Sequence, residues 1–258
     1  MAVYTPEAVT LPADLVDEAW SIYSSGGRGV VRPSLPILWF GDSEAFSDSA
    51  VRIVTVGLNP SRAEFPAGDR LLRFPTARLL TGPPSTTIER VAYVSALNSY
   101  FRSQPYRQWF DHGFERVLNG LSASYYAGLP NTALHTDLLS PLATDPTWGS
   151  LAKGDRASLL RDGPSLWHKL VRVLQPDVLV VSVAREHLGR IGFRRLGQWR
   201  VIHTVNREHP FATEAVDVEV VPGKRTVLVF GRCTNQPFGS VTHEAKVAIG
   251  AAIGADRA

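Results

Sequence analysis

Residues 51–61 read VRIVTVGLNPS, an apolar run that ends at a glycine and continues into Asn59, Pro60 and Ser61. A run so rich in valine and isoleucine predicts a buried β-strand, because β-branched side chains pack well on a pleated sheet. Gly, Asn, Pro and Ser are the residues that form tight turns. The stretch therefore predicts a strand that stops abruptly at a turn carrying an amide and a hydroxyl side chain.

Similar apolar runs alternate with amphipathic stretches along the chain. The run DVLVVSV at 177–183 is continuous, which is typical of a strand covered on both faces. Further strands are predicted at 132–134, 200–205, 216–221 and 226–230, and helices at 13–23, 75–80, 88–101, 106–118, 164–174, 185–191 and 240–253. This alternation indicates a mainly parallel sheet with helices on both faces. Since no repeat or linker divides the chain, we expect one three-layer α/β/α domain over residues 1–258.

Composition excludes several classes of protein. A single cysteine, Cys233, excludes a disulfide within the chain and a Cys-ligated zinc or iron–sulfur site. The histidines and carboxylates show no ligand spacing, so we expect neither metal nor cofactor. The first residues lack the basic start and apolar stretch of a signal peptide, and no apolar run has the ~20 residues of a membrane span, so we expect a cytoplasmic protein without membrane contact. A net charge of +3 permits nucleic-acid binding without indicating it.

Three polar segments follow predicted strands: GLNPS at 57–61, HTDL at 135–138 and CTNQPFGS at 233–240. In open α/β sheets, ligands bind beyond the carboxyl ends of the strands. Taken singly, each segment can be a turn, a hydrogen-bonded loop pair or a helix start with Ser240 as N-cap. Their convergence at neighbouring strand ends favours a functional site.

The order of these motifs resembles that of the uracil-DNA glycosylase superfamily. GLNPS is similar to the first family motif, Gly-hydrophobic-Asn-Pro-Gly/Ser. Arg73-Phe74 followed by PTARLL is similar to the aromatic-then-helix stretch, QPDVLVVSVAREHLGRI to the third strand and its helix, and NQPFGS to the final motif, which is the weakest match. The resemblance covers residues 50–253 and points to a divergent branch without an iron–sulfur cluster.

The resemblance implies a uracil-DNA glycosylase-like fold and a monofunctional DNA repair glycosylase. Such an enzyme flips uracil or a related deaminated base out of DNA and hydrolyses its N-glycosidic bond, which leaves an abasic site. No lysine lies in or beside the three motifs, so a Schiff-base lyase step is not expected. The alternative is a non-catalytic member of the same fold that binds damaged DNA or a nucleotide. Family precedent implies a monomer.

The resemblance also implies roles for the first motif. Asn59 would position the hydrolytic water, and an amide cannot act as a strong general base. Catalysis would then depend on stabilising the departing base anion. Gly57 and Leu58 would form part of the base pocket. Pro60, Ser61 and Arg62 would contact the DNA.

An aromatic ring must stack on the flipped base. Phe74 is our choice, because its spacing from the first motif and the helix after it match the family, and Phe65 is the rival. For either residue, ordinary core packing is the competing interpretation. Arg73, Arg207 and Arg232 are, with Arg62, candidate phosphate contacts.

Asp137 stands where the family commonly has an asparagine that reads the N3–H and O4 of uracil. A carboxylate accepts from N3–H but repels O4 unless it is protonated or bridged by water. Three readings stay open. Asp137 binds uracil while another donor, such as His135, serves O4; the enzyme prefers a base with an exocyclic amine at that position, or a different lesion; or Asp137 activates the water.

In the final motif Gln236 stands where a His or Asn precedes the proline. The resemblance implies that Gln236 donates to O2 and that the following loop enters the minor groove, with Phe238 as apolar wedge. Ser240 and the closing helix would bind a phosphate. The loop comprises Pro237, Phe238, Gly239 and Ser240. The pair His209-Pro210 is the rival for this role, although the chain after it heads into a predicted hairpin.

Overall fold

The computed structural model describes residues 12–205, 210–233 and 235–257. In this part of the chain the helices are α1 (Ala13–Ser25), α2 (Ser43–Ser47), α3 (Thr87–Asn98), α4 (Arg107–His112), α5 (Phe114–Gly120), α6 (Lys153–Leu174) and α7 (His243–Arg257). The strands are β1 (Ile53–Gly57), β2 (Ala123–Ser124), β3 (Asn131–Asp137), β4 (Val178–Val181), β5 (Arg194–Arg195), β6 (Arg200–Val205), β7 (Phe211–Val221) and β8 (Lys224–Gly231).

The strands form one sheet in the order β2-β3-β1-β4-β8-β7-β5, and β6 also pairs with β7. The pairs from β2 to β8 are parallel, whereas β7 runs antiparallel to β8, β5 and β6. The prediction of an α/β chain with a mainly parallel central sheet is confirmed, and the arrangement is compatible with three layers. The buried hydrophobic side chains of the described residues, Ala92 excepted, form one contiguous core.

The register of the central strands brings their carboxyl ends to one edge. β1 lies between β3 and β4, and both β1 and β4 are buried throughout, as their continuous apolar runs predict. Gly57 at the end of β1 is level with Asp137 at the end of β3. The segments after β1 and β3 therefore begin side by side.

Several element boundaries differ from those that the sequence predicts. β3 continues to Asp137 rather than ending at 134, because its polar side chains His135, Thr136 and Asp137 are buried and stay in the ladder. The predicted helix at 106–118 is divided into α4 and α5 at Gly113.

Helix α7 also differs from its sequence prediction. It begins at His243, where the Thr242 hydroxyl accepts a hydrogen bond from the Ala245 N–H, so Ser240 is not its N-cap. Lys246 is buried, with its ammonium donating to the carbonyl oxygen of His112. Across the residues that the structure describes, no helix is both long and apolar enough to cross a membrane.

Candidate functional site

The GLNPS segment leaves β1 and runs beside the segment that follows β3. The N–H groups of Leu138, Leu139 and Thr144 donate to the carbonyl oxygens of Gly57, Leu58 and Pro60, at 3.0, 2.8 and 3.2 Å. The Ser61 hydroxyl accepts from the Ala63 N–H at 3.1 Å and caps a short 3₁₀-helix, Arg62–Glu64. The turn is therefore held to the segment after β3 by backbone hydrogen bonds and is closed by the Ser61 side chain.

The side chain of Asn59 has a defined orientation in this turn. Its Nδ2 donates to the carbonyl oxygens of Pro60 at 2.8 Å and Leu142 at 3.4 Å, and to the Thr144 hydroxyl at 2.9 Å. Carbonyl oxygens can only accept, so the NH₂ end must face them. The side-chain oxygen accepts no hydrogen bond from the residues that the structure describes, which leaves it available to a ligand or a water.

Asn59 lies in the wall of a cavity of about 80 Å³, here called the inner cavity. Its polar lining is Asn59, Ser61, Glu64, His135 and Asp137, and the remaining wall is Phe40, Pro60, Tyr106, Trp109 and Phe110. The first two motifs singled out in the sequence thus meet at one cavity. Rings and hydrogen-bonding groups in one small space suit a planar heteroaromatic ligand.

His135 and Asp137 are two residues apart on β3, so both point to the same face of the sheet. Both are buried, and Nε2 of His135 lies 3.7 Å from Oδ1 of Asp137. Nδ1 of His135 is 2.8 Å from the Thr55 hydroxyl, which also hydrogen-bonds the Tyr125 hydroxyl. The buried network fixes the imidazole and presents its other nitrogen to the carboxylate.

Gly57 makes room for this pair. A Cβ atom at Gly57 would lie 2.7 Å from Oδ1 of Asp137 and 3.1 Å from Nε2 of His135. Only glycine permits so close an approach of the backbone to both side chains. The glycine that ends the apolar run is therefore part of the site as well as of the turn.

Glu64 is a site residue that the sequence analysis missed. The Tyr100 hydroxyl donates to Oε2 of Glu64, and Nε of Arg73 lies 4.0 Å from the same oxygen. Burial raises the pKa of Glu64 to about 7, although Tyr100 and Arg73 oppose the rise. No local pattern in SRAEFP marks a buried carboxyl, because its partner Tyr100 is far away in sequence.

The two candidate rings, Phe65 and Phe74, lie in the core rather than at the inner cavity. Phe65 and Phe74 are completely buried and stack on each other with ring centroids 5.4 Å apart and planes at 22°. Neither lines the inner cavity, whose phenylalanine rings are Phe40 and Phe110. Spacing from the first motif identified the aromatic cluster but not which of its rings faces the cavity.

A second cavity of about 280 Å³, here called the outer cavity, is also lined by residues of the turn. It shares Asn59, Pro60, Ser61 and Trp109 with the inner cavity and is otherwise lined by Leu58, Thr144, Thr147, Trp148, Gly149, Ser182, Val183, Ala184 and Cys233. Burial raises the pKa of the Cys233 thiol to about 11, so this thiol is neutral at ordinary pH and a poor nucleophile.

The final motif does not have the structure expected of a DNA wedge. Phe238 is 0 % exposed and packs against Phe114 and Phe211, while its N–H donates to the Ser182 hydroxyl. Its ring lies against Gly231, where a Cβ would be only 2.0 Å from the ring. Phe238 is therefore a core residue. Ser240 is exposed, and Gln236, Pro237, Phe238, Gly239 and Ser240 line neither cavity.

The candidate phosphate contacts are dispersed. Arg62 is exposed near the turn, 3.3 Å from Asp145, and Arg232 is exposed after β8. Arg73 is largely buried beside Glu64. The rival wedge residue His209 and Arg207 lie outside the described residues. Within the described residues, no group of three or more His, Cys, Asp or Glu could hold a metal ion.

Comparison of the chain with protein-family models gives no match, and comparison with curated proteins gives none either. The site itself offers an amide oxygen without a partner among the described residues, two buried carboxyl groups and an imidazole, all within a wall of rings.

Proposed function

We propose that this chain is a monofunctional DNA glycosylase with a uracil-DNA glycosylase-like fold. Its substrate is DNA carrying uracil or a related deaminated base, and its product is an abasic site. We propose further that it acts as a cytoplasmic monomer without a cofactor. The observation that carries the proposal is the side-chain oxygen of Asn59, which has no partner among the described residues and lies in the wall of the inner cavity.

The proposed reaction breaks the bond between C1′ of the sugar and the base nitrogen. The sugar develops oxocarbenium character, and the bonding electrons leave on the base. The Asn59 oxygen would accept a hydrogen bond from the water that attacks C1′. An amide is too weak a base to keep a proton, so the proton that the water loses when its oxygen bonds to C1′ passes to the departing base anion. We therefore expect stabilisation of this anion to supply most of the rate.

The remaining walls support base binding. Phe40 and Phe110 offer ring surfaces, and Asp137 offers an acceptor for a ring N–H. The outer cavity begins at the same turn and is the larger of the two. It would take the sugar and phosphate of the flipped nucleotide.

The test is a strand-cleavage assay on end-labelled oligonucleotides followed by hot alkali, which cuts at abasic sites. The oligonucleotides carry a single uracil, single-stranded or opposite G or A, or else hypoxanthine, xanthine or mismatched thymine. We expect cleavage at uracil or another deaminated base with the wild-type chain, and its loss in Asn59→Ala.

Gly189→Ala is the matched control, since a Cβ at Gly189 meets no atom of the described residues within 4 Å. It is expected to cleave as the wild type does. Tight binding without cleavage of any oligonucleotide would contradict the enzyme and indicate a non-catalytic DNA-binding member of this fold.

A further inference from the structure

Glu64 lines the inner cavity, and one of its carboxyl oxygens has no hydrogen-bond partner among the described residues. The residue is 4 % exposed. Its Oε2 accepts from the Tyr100 hydroxyl, whose own oxygen accepts from the Tyr106 N–H at 2.9 Å. Oε1 makes no hydrogen bond with any residue that the structure describes. A proton on the carboxyl would therefore lie on Oε1, where it is available to a ligand.

The charges around Glu64 act in opposite directions. Burial and the nearby Asp137 raise the pKa of Glu64, while the Tyr100 hydrogen bond and Arg73 lower it, with the result near 7. His135 lines the same cavity, next to Asp137. Tyr100 stays protonated, because burial and Glu64 hold its pKa well above the ordinary value. Near neutral pH the carboxyl group of Glu64 therefore exists partly as the neutral acid.

We propose that Glu64 binds the base as the neutral acid and donates from Oε1 to a carbonyl oxygen, while Asp137 accepts from the adjacent ring N–H. This inference rests on the proposed function and names its substrate class. The pair reads a lactam edge, –C(=O)–NH–, as found in uracil, hypoxanthine and xanthine. Cytosine and adenine present an amine beside an unprotonated ring nitrogen, so both hydrogen bonds would be mismatched.

The proposal also resolves the difficulty that Asp137 raises. A carboxylate at that position repels the carbonyl oxygen of uracil, so a second group must donate to it. Glu64 does so without a positive charge, and it keeps its hydrogen bond from Tyr100 in the process. Ionised Glu64 would instead repel the same carbonyl oxygen, and substrate binding would weaken.

The test is the pH dependence of kcat/KM on a uracil-containing oligonucleotide. For the wild type we expect a fall of about tenfold per pH unit above about pH 7, since kcat/KM reports ionisations of the free enzyme. In Glu64→Gln the amide oxygen accepts from Tyr100 and the NH₂ group donates into the cavity at every pH. Its profile should stay level, within about threefold, up to about pH 9.

Glu115→Gln is the matched control. Glu115 is also a buried carboxyl of raised pKa, but the Ser124 hydroxyl, Asn119 and the Tyr125 N–H hydrogen-bond both its oxygens, and it lines neither cavity. Its variant should keep the fall above about pH 7. A purely structural role for Glu64 would lower activity equally at all pH values, so parallel profiles for wild type and Glu64→Gln would overturn the inference while leaving the glycosylase intact.

A failure to excise any lesion would overturn only the proposed function. A second measurement therefore tests base binding by Glu64 without requiring excision. The Glu carboxyl carbons are followed by ¹³C NMR across pH, with the Glu64 signal assigned by its absence in Glu64→Gln. We expect Glu64 to titrate near 7 and free uracil to raise its pKa, whereas free cytosine should not. Titration near the ordinary carboxyl value, or no response to uracil, would overturn the inference.

Discussion

Replacing Gly57 with alanine tests how closely the backbone of β1 approaches the site. The added Cβ would lie 2.7 Å from Oδ1 of Asp137, and ordinary van der Waals contact begins at 3.4 Å, so the carboxylate must move by about 0.7 Å. The neighbours cannot yield easily, because the Asp137 side chain is 4 % exposed and His135 is held by Thr55. We expect Gly57→Ala to destabilise the fold by about 1–3 kcal/mol, as overpacking does.

The loss of activity should exceed what this destabilisation alone causes. Moving a binding group by up to 1 Å can lower a reaction rate by up to about 10²-fold. We therefore expect kcat/KM for excision to fall by about 10²-fold in Gly57→Ala. Unfolding in urea, followed by tryptophan fluorescence, gives the stability, and the strand-cleavage assay gives the activity. In the control Gly189→Ala, stability should change by less than about 0.5 kcal/mol. If Gly57→Ala matched this control in both assays, the packing argument would be refuted.

Three further perturbations separate structural from chemical roles. Phe238→Ala should lower the unfolding free energy measured by urea titration by about 3–5 kcal/mol, because its ring is in the core. A loss below about 1 kcal/mol would restore the interpretation of Phe238 as an exposed wedge. Asn59→Asp should abolish excision and lower the unfolding free energy by about 1–3 kcal/mol, because its carboxylate would face two backbone carbonyl oxygens. Faster excision, as expected if the carboxylate served as a better base, would contradict this. The unfolding free energy should decrease as pH rises from about 4.5 to about 7, by at most about 3 kcal/mol, because folded Glu64 holds a proton in this window that the unfolded chain releases. Glu64→Gln should make this decrease smaller, with the remainder coming from other buried carboxyls such as Glu115, and equal profiles in urea titrations across pH would show that Glu64 does not contribute to it.

The central strands and their polar ends follow from local sequence. The run before Gly57 is β-branched and continuous, and its partner at 177–183 is similar, so a buried parallel pair is the simplest solution. His135 and Asp137 could be placed at the site because they follow a predicted strand, and ligands of open α/β sheets bind beyond the carboxyl ends of the strands. Parallel register with β1 then brings Asp137 level with Gly57.

The remaining features depend on contacts between distant residues, which local patterns do not encode. Glu64 is buried because the Tyr100 hydroxyl hydrogen-bonds it, and nothing near Glu64 in sequence reports that contact. Phe238 is a core residue because Gly231 on β8 leaves space for its ring. Motif order alone could not distinguish such a ring from an exposed wedge.

The most direct test of the proposed function is mass-spectrometric detection of the free base after a single-turnover incubation. A uracil-containing oligonucleotide is mixed with excess protein, and the small-molecule fraction is analysed for uracil. The account predicts one free uracil for each abasic site formed by the wild-type chain, and none from Asn59→Ala. An absence of free base with every deaminated substrate, or equal release by both proteins, would contradict it.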